Sequence, residues 1–184
     1  CDAAGRFWFG SICKCESMAQ LYHYDPDGTL SVMETGLTIS NGLGWSPDNQ
    51  TFYLTDSYRR TIYAYDFDLE SGTLSDRRIF IDLTAETFEP DGLAVDQEGC
   101  LWSAMWNGWC IIRFDPEGKE MMRVPMPVQR PTCCTFGGAD WDILYITTAS
   151  IGLSQDEIQQ SFYSGDVFSL QTDVTGLSTY SFKG

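Results

Sequence analysis

Two short phrases in this chain carry side chains that could do chemistry: Ser40-Asn41-Gly42-Leu43 and Pro90-Asp91-Gly92-Leu93. Each opens the same pattern of polar residue, Gly-Leu, short apolar run, Asp-containing turn and aromatic strand. Equivalent places in a repeat become equivalent places around an axis. The Asn41 amide and the Asp91 carboxylate are therefore expected to face one another from neighbouring units. Both are hard oxygen donors, suited to Ca²⁺, Mg²⁺ or Mn²⁺ and tolerated by Zn²⁺. Two protein ligands bind weakly, so a third carboxylate is required and water fills the rest. A cation whose water can be displaced suits hydrolysis, with Asp91 as ligand and as the base that takes a proton from the attacking water. Taken singly, Asn41 before Gly42 and Asp91 after Pro90 are ordinary turn residues. Their pairing in successive repeats is what marks them as ligands.

The elements that must position them repeat along the chain. One copy runs from Gly42 to Asp56 and resumes at Thr61–Asp66; the next runs from Gly92 to Ala104 and resumes at Cys110–Asp115. A third starts near Cys134, continues through Ile143–Thr147 and resumes at Asp166–Leu170, and a partial copy opens the chain at Asp2–Gly10 and Gln20–Asp25. Each holds about four short strands with Gly/Asp/Asn/Pro turns, at a period of roughly 40–50 residues, which is the mark of a β-propeller blade. The fold class expected is all-β, with roughly four blades present at ~45 residues each. The first copy starts at its second strand. Because a propeller normally closes by pairing its terminal strands, residues 1–184 are expected to form a single partial domain, with N-terminal blades missing. Ser154–Gln160 is the best helical candidate and is read as a polar surface loop.

Composition narrows the function. The chain has 184 residues, of which 43% are hydrophobic, and is rich in Phe (11), Tyr (9) and Trp (6), so it can build a core and favours strands. A formal charge of −15 excludes nucleic acid and anionic membranes as partners. No apolar run approaches a membrane span, and no signal peptide is visible, which reads as cytoplasmic. The seven cysteines lack zinc or CxxC spacing and read as reduced thiols.

Other motifs recede. Asp25-Pro26-Asp27-Gly28 lacks the remaining ligands of a calcium loop and reads as a hairpin turn. Ser11-Ile12-Cys13-Lys14 matches a Ser-x-x-Lys nucleophile but sits at a strand end rather than a helix start. His23, the single histidine, reads as a strand residue, and Asn49-Gln50-Thr51 as an unused glycosylation sequon. Asp56, at the end of the strand after Asn41, could support the site or cap the strand. Trp102, Met105, Trp106 and Trp109 could wall a channel mouth or pack between blades; of these Trp106 is kept as a substrate contact.

The ordered set Ile39–Asp48, Phe52–Ser57, Ile62–Asp66, Pro90–Asp96, Leu101–Ala104, Pro131–Gly138 and Tyr180–Gly184 resembles the senescence marker protein / gluconolactonase / luciferin-regenerating (regucalcin-like) family. The resemblance implies a six-bladed propeller with one divalent metal (Ca, Zn, Mn or Mg) in its channel, and hydrolysis of small-molecule sugar lactones. It assigns Asn41 and Asp91 to the metal and suggests Glu16 as a contact to a substrate hydroxyl. The family's third ligand, a Glu, and its substrate-binding Arg and Asn would fall upstream of Cys1, so activity is expected to be impaired in the chain as given. The alternative reading is a calcium-responsive binding protein without turnover.

Overall fold

The computed structural model describes residues 1–13 and 17–184. Fourteen strands form four antiparallel sheets, each a meander of sequence neighbours. The first holds β1 (Phe7–Gly10), β2 (Ala19–Tyr24) and β3 (Leu30–Leu37). The second holds β4 (Ser40–Trp45), β5 (Thr51–Asp56), β6 (Thr61–Asp68) and β7 (Thr73–Asp82). The third holds β8 (Glu89–Val95), β9 (Leu101–Trp106), β10 (Cys110–Phe114) and β11 (Glu120–Pro125). The fourth holds β12 (Pro131–Gly137), β13 (Ile143–Thr148) and β14 (Val167–Gln171).

The sheets follow one another like leaves, with a core between each successive pair. Trp8, Leu21 and Leu37 of the first sheet meet Phe52, Leu54 and Tyr65 of the second. Tyr53, Ile62 and Ile81 of the second meet Leu93, Leu101 and Ile112 of the third. Trp102 and Ile111 of the third meet Phe136, Leu144 and Ile146 of the fourth. A middle strand such as β10 is therefore covered on both faces. All five of its residues are buried, and its sequence, Cys-Ile-Ile-Arg-Phe, reads as a near-continuous apolar run rather than an alternation. The fourth strands β7 and β11 are mostly exposed, and β7 is correspondingly polar. Each fully buried Leu or Ile contributes about 1.5–3 kcal/mol of burial free energy.

The first strands pack side by side, β4 against β8 and β8 against β12. That contact depends on two glycines. A Cβ on Gly42 would lie 2.5 Å from the Asp91 carbonyl oxygen and 2.8 Å from the Leu93 nitrogen, and one on Gly92 would lie 2.4 Å from Cys133 Sγ. The strands can come this close only because these positions carry no side chain.

Ser154–Gln160 does not form the loop expected of it. Gln155–Gln160 is a short α-helix (α1), capped by a reciprocal box in which the Ser154 side chain accepts from the Glu157 N–H and Glu157 reaches back to the Ser154 N–H. None of its residues is buried. Among the described residues no helix is long and apolar enough to cross a membrane.

Candidate functional site

Asn41 and Asp91 occupy matching distortions of matching strands. Between β4 and β5 the pairing passes from Ser40↔Asp56 to Leu43↔Leu54, and between β8 and β9 from Pro90↔Met105 to Leu93↔Ser103. In both, one extra residue is absorbed on the inner strand, a β-bulge, which re-aims a side chain and ends regular pairing locally. The site residue and its glycine lie within the bulge each time. The bulged residues and the bare Gly42 let the two side chains meet across the β4–β8 contact, where the Asn41 side chain stands close enough to the Asp91 carboxylate to favour its ionised form. Asn41 Nδ2 also donates to Ser57 Oγ at 3.1 Å.

A cavity of about 480 Å³ opens on this pair, lined also by Ile39, Ser57, Glu89 and Trp106. Burial pushes the Asp91 carboxyl up to about 6, and the Asn41 side chain and the Gly92 N–H only partly offset that. A smaller cavity of about 260 Å³, near the far ends of β4, β8 and β12, carries no acidic or basic side chain. The chemistry of the inner strands is thus concentrated at one end.

The remaining sequence candidates divide. Trp106 lines the Asp91 cavity, whereas Trp102 and Met105 are buried between sheets. Asp56 is fully buried and does not line the cavity. Its carboxylate accepts from the Thr38 and Ile39 N–H groups, each at 3.2 Å, and from the Thr38 hydroxyl, and it pairs with Arg59 Nε at 3.5 Å. It pins the chain that enters β4, the strand that carries Asn41. Glu16 lies outside the described residues. His23 lies on β2, buried edge-to-face against Trp8, with its Nε2 3.3 Å from Asp25; burial lowers its pKa. Ser11 Oγ bonds within its own sheet, accepting from the Gln20 N–H at 2.8 Å.

Sequence reasoning missed Glu89 and Ser57. Glu89 sits two residues before Asp91, and period-two alternation along β8 would have put both on one face. Ser57 directly follows Asp56, at the start of the 3₁₀ turn Ser57–Arg59.

The residues fit a divalent cation in kind, though not in number. The Asn41 amide oxygen and the Asp91 carboxylate are hard donors, and Asp91 is short of positive charge where it stands. Among the described residues, however, no group of three or more His, Cys, Asp or Glu could hold a metal ion.

A sequence profile described as the SMP-30/Gluconolactonase/LRE-like region matches residues 1–150. The chain belongs to this family. The pentonolactonase of Haloferax volcanii is 40% identical over 148 residues, which is 80% of this chain and 51% of that protein. Rabbit (Oryctolagus cuniculus) regucalcin is 38% identical over 192 residues, covering 100% of this chain and 64% of the relative. A calcium-binding protein, regucalcin, from Agrobacterium tumefaciens superposes with a TM-score of 0.92 at 27% identity, over 97% of this chain and 61% of that one. A gluconolactonase from Xanthomonas campestris superposes at 0.67 with 31% identity, over 79% and 51% respectively. The chain thus spans between about half and two thirds of the length of these family members.

Proposed function

We propose that the complete protein hydrolyses sugar lactones with the help of one divalent cation held by Asn41 and Asp91. In this reading the four sheets are blades of a six-bladed propeller and the cavity is one side of its central channel. The observation that carries the reading is the meeting of an amide and an under-partnered carboxylate from equivalent bulges in one cavity. The lactonase relatives support the reaction class, and a further carboxylate is needed to complete the ligand set.

A bound cation would supply Lewis-acid polarisation of the lactone carbonyl and stabilisation of the developing oxyanion. The protein's own residues do the rest. Asp91 accepts the proton of the attacking water. Even at about 6 its carboxyl is ionised at neutral pH, and a neighbouring positive charge lowers that value further. Asn41 contributes an oxygen without adding charge, and Ser57 holds its amide in orientation. Trp106 offers an apolar face against which a sugar ring can lie.

The test is glucono-δ-lactone hydrolysis by the complete protein, followed by pH-stat. Turnover should fall on chelation and return with Ca²⁺, Mn²⁺ or Zn²⁺. Asp91→Asn should lower it by about 10²- to 10⁴-fold, the usual contribution of a positioned base, while leaving the circular dichroism spectrum unchanged. Near-normal turnover in that variant would remove Asp91 as the base. The regucalcin relatives favour a second reading, a cation-binding protein without turnover, and tight cation binding with no hydrolysis would establish it.

A further inference from the structure

Glu89 is unaccounted for by that chemistry. It lies on the same strand as Asp91 and lines the same cavity. One of its oxygens, Oε1, stands 3.8 Å from Arg60 Nη2, an ion pair too long for a hydrogen bond. The other, Oε2, is buried and has no hydrogen-bond partner among the described residues; Arg60 Nε is likewise buried and unpartnered. A buried carboxylate oxygen without a donor is costly, and such groups are rare unless something else completes them. Ile12 and Ile39 are apolar, Asn41 Nδ2 donates to Ser57, and the donors that Tyr58, Trp106 and Asn107 bring to the cavity make no hydrogen bond to this oxygen.

Glu89 lines the cavity, so a turn of its side chain brings this oxygen to the cavity's occupant, whose O–H supplies the missing donor. We propose that Glu89 is a specificity-determining residue that accepts a hydrogen bond from a ring hydroxyl of a polyhydroxylated lactone, with Arg60 as the positioning residue behind it. The proposal rests on the lactonase reading for the kind of ligand, and it assigns Glu89 to recognition rather than to the bond-breaking step. A site that hydrogen-bonds a substrate hydroxyl rejects the analogue lacking it, because the protein's buried group is then left unpaired. Glu89 should therefore separate sugar lactones from plain cyclic esters of the same ring size.

Binding of non-hydrolysable lactams tests this without depending on turnover. Gluconolactam and δ-valerolactam share the ring and differ in hydroxyls. By calorimetry, the complete protein should bind gluconolactam the more tightly. Glu89→Ala should reduce the affinity ratio by about tenfold or more, the scale of one hydrogen bond to a charged group, while δ-valerolactam affinity stays within about twofold. Glu89→Gln, which keeps the shape and a neutral acceptor, should lose less, and it carries the comparison if the alanine variant fails to fold. An unchanged ratio, an equal loss for both lactams, or no lactam binding by the unmodified protein would overturn the assignment. The two readings separate when glucono-δ-lactone turnover is followed in parallel. A falling lactam ratio without turnover keeps Glu89 as the hydroxyl acceptor and discards the lactonase. Turnover with an unchanged ratio does the reverse.

Discussion

Two aspartates of strand β8, Asp91 near its start and Asp96 just past its end, are treated in opposite ways. Asp96 is fully buried and surrounded by donors. Its Oδ1 accepts from the N–H groups of Glu98 (3.0 Å) and Cys100 (2.9 Å), and its Oδ2 accepts from Trp102 Nε1 (2.9 Å) and Arg113 Nε and Nη2 (3.0 and 2.7 Å). Among the described residues Asp91 has only the Asn41 side chain and the Gly92 N–H to favour its charge, and its carboxyl is pushed up to about 6 by burial. The first is a finished structure, a turn nucleated on one charge. The second is an unfinished one that a cation or a proton completes. A saturated carboxylate holds a fold together, and an under-partnered one in a cavity is available for chemistry.

The first sheet repeats the finished version with a different cation. Asp2 accepts from Trp8 Nε1 at 2.9 Å and from the Arg6 N–H and Nη1, both at 3.0 Å. Burial works against ionisation there, yet these bonds hold the carboxyl below the usual carboxylate range. Arg113 reaches Asp96 from the position directly across from Trp102, whereas the residue across from Trp8 is His23. Arg6, from the turn itself, takes over the guanidinium's role. The Asp–Trp pair is the constant, and the cation can arrive from either strand or turn.

Breaking the finished end should cost the most stability. Asp96→Ala removes the buried partner of Arg113 and leaves it only the exposed Glu98 carboxylate, 2.6 Å from its Nη2, and urea unfolding should show a loss of about 3–5 kcal/mol. A loss below about 1 kcal/mol, the scale of an exposed pair, would mean that water replaces the carboxylate and that burial of the pair matters little.

The unfinished end should respond in the opposite sense. In cation-free buffer the folded Asp91 holds its proton more tightly than the unfolded chain, whose carboxyl titrates near 3.8. Its contribution to stability is therefore greatest below about 4 and declines as pH rises through about 6. Asp91→Asn cannot titrate and lacks this decline. Relative to the unmodified protein it should gain stability between pH 4 and pH 7. Urea midpoints at the two pH values measure this, and a difference that does not change with pH would mean that Asp91 is better solvated than its surroundings indicate.

The smallest effect sharpens the site rather than breaking it. Ser57→Ala removes the acceptor of the Asn41 amide, at a cost of about 0.5–1.5 kcal/mol. The amide is then free to rotate, and cation affinity, read by competition with a chromophoric chelator, should weaken severalfold with stability nearly intact. Unaltered affinity would show that contact with Asp91 alone orients Asn41.

Much of this was legible in the residues. The repeat put Asn41 and Asp91 in equivalent places, and strands β4–β6 and β8–β10 fall where the copies begin and resume. The bulges were hidden, because a one-residue mismatch depends on which partner each strand selects. Glu89 was hidden for a related reason: a Glu before Pro-Asp-Gly looks like one more charge on an acidic surface until its oxygen is seen to be buried. The Asp96 cluster spans Asp96, Trp102 and Arg113, which only the pairing of β8, β9 and β10 brings together. Ser154–Gln160, the best helical candidate, forms a short helix where a loop was expected because its capping box is local and strong, while its polar sequence has no apolar stripe to mark it.

Gly42 and Gly92 set the spacing on which the candidate site depends, and each directly follows the side chain it serves. Position and ligand are therefore inherited as dipeptides. Sequence drift can exchange Asn41 or Asp91 for another donor, but it cannot supply a ligand from the neighbouring position, because any side chain at 42 or 92 would wedge the sheets apart. An engineer who wishes to retune the pair for a softer or a larger ion has two positions to vary on these strands and two that must stay bare.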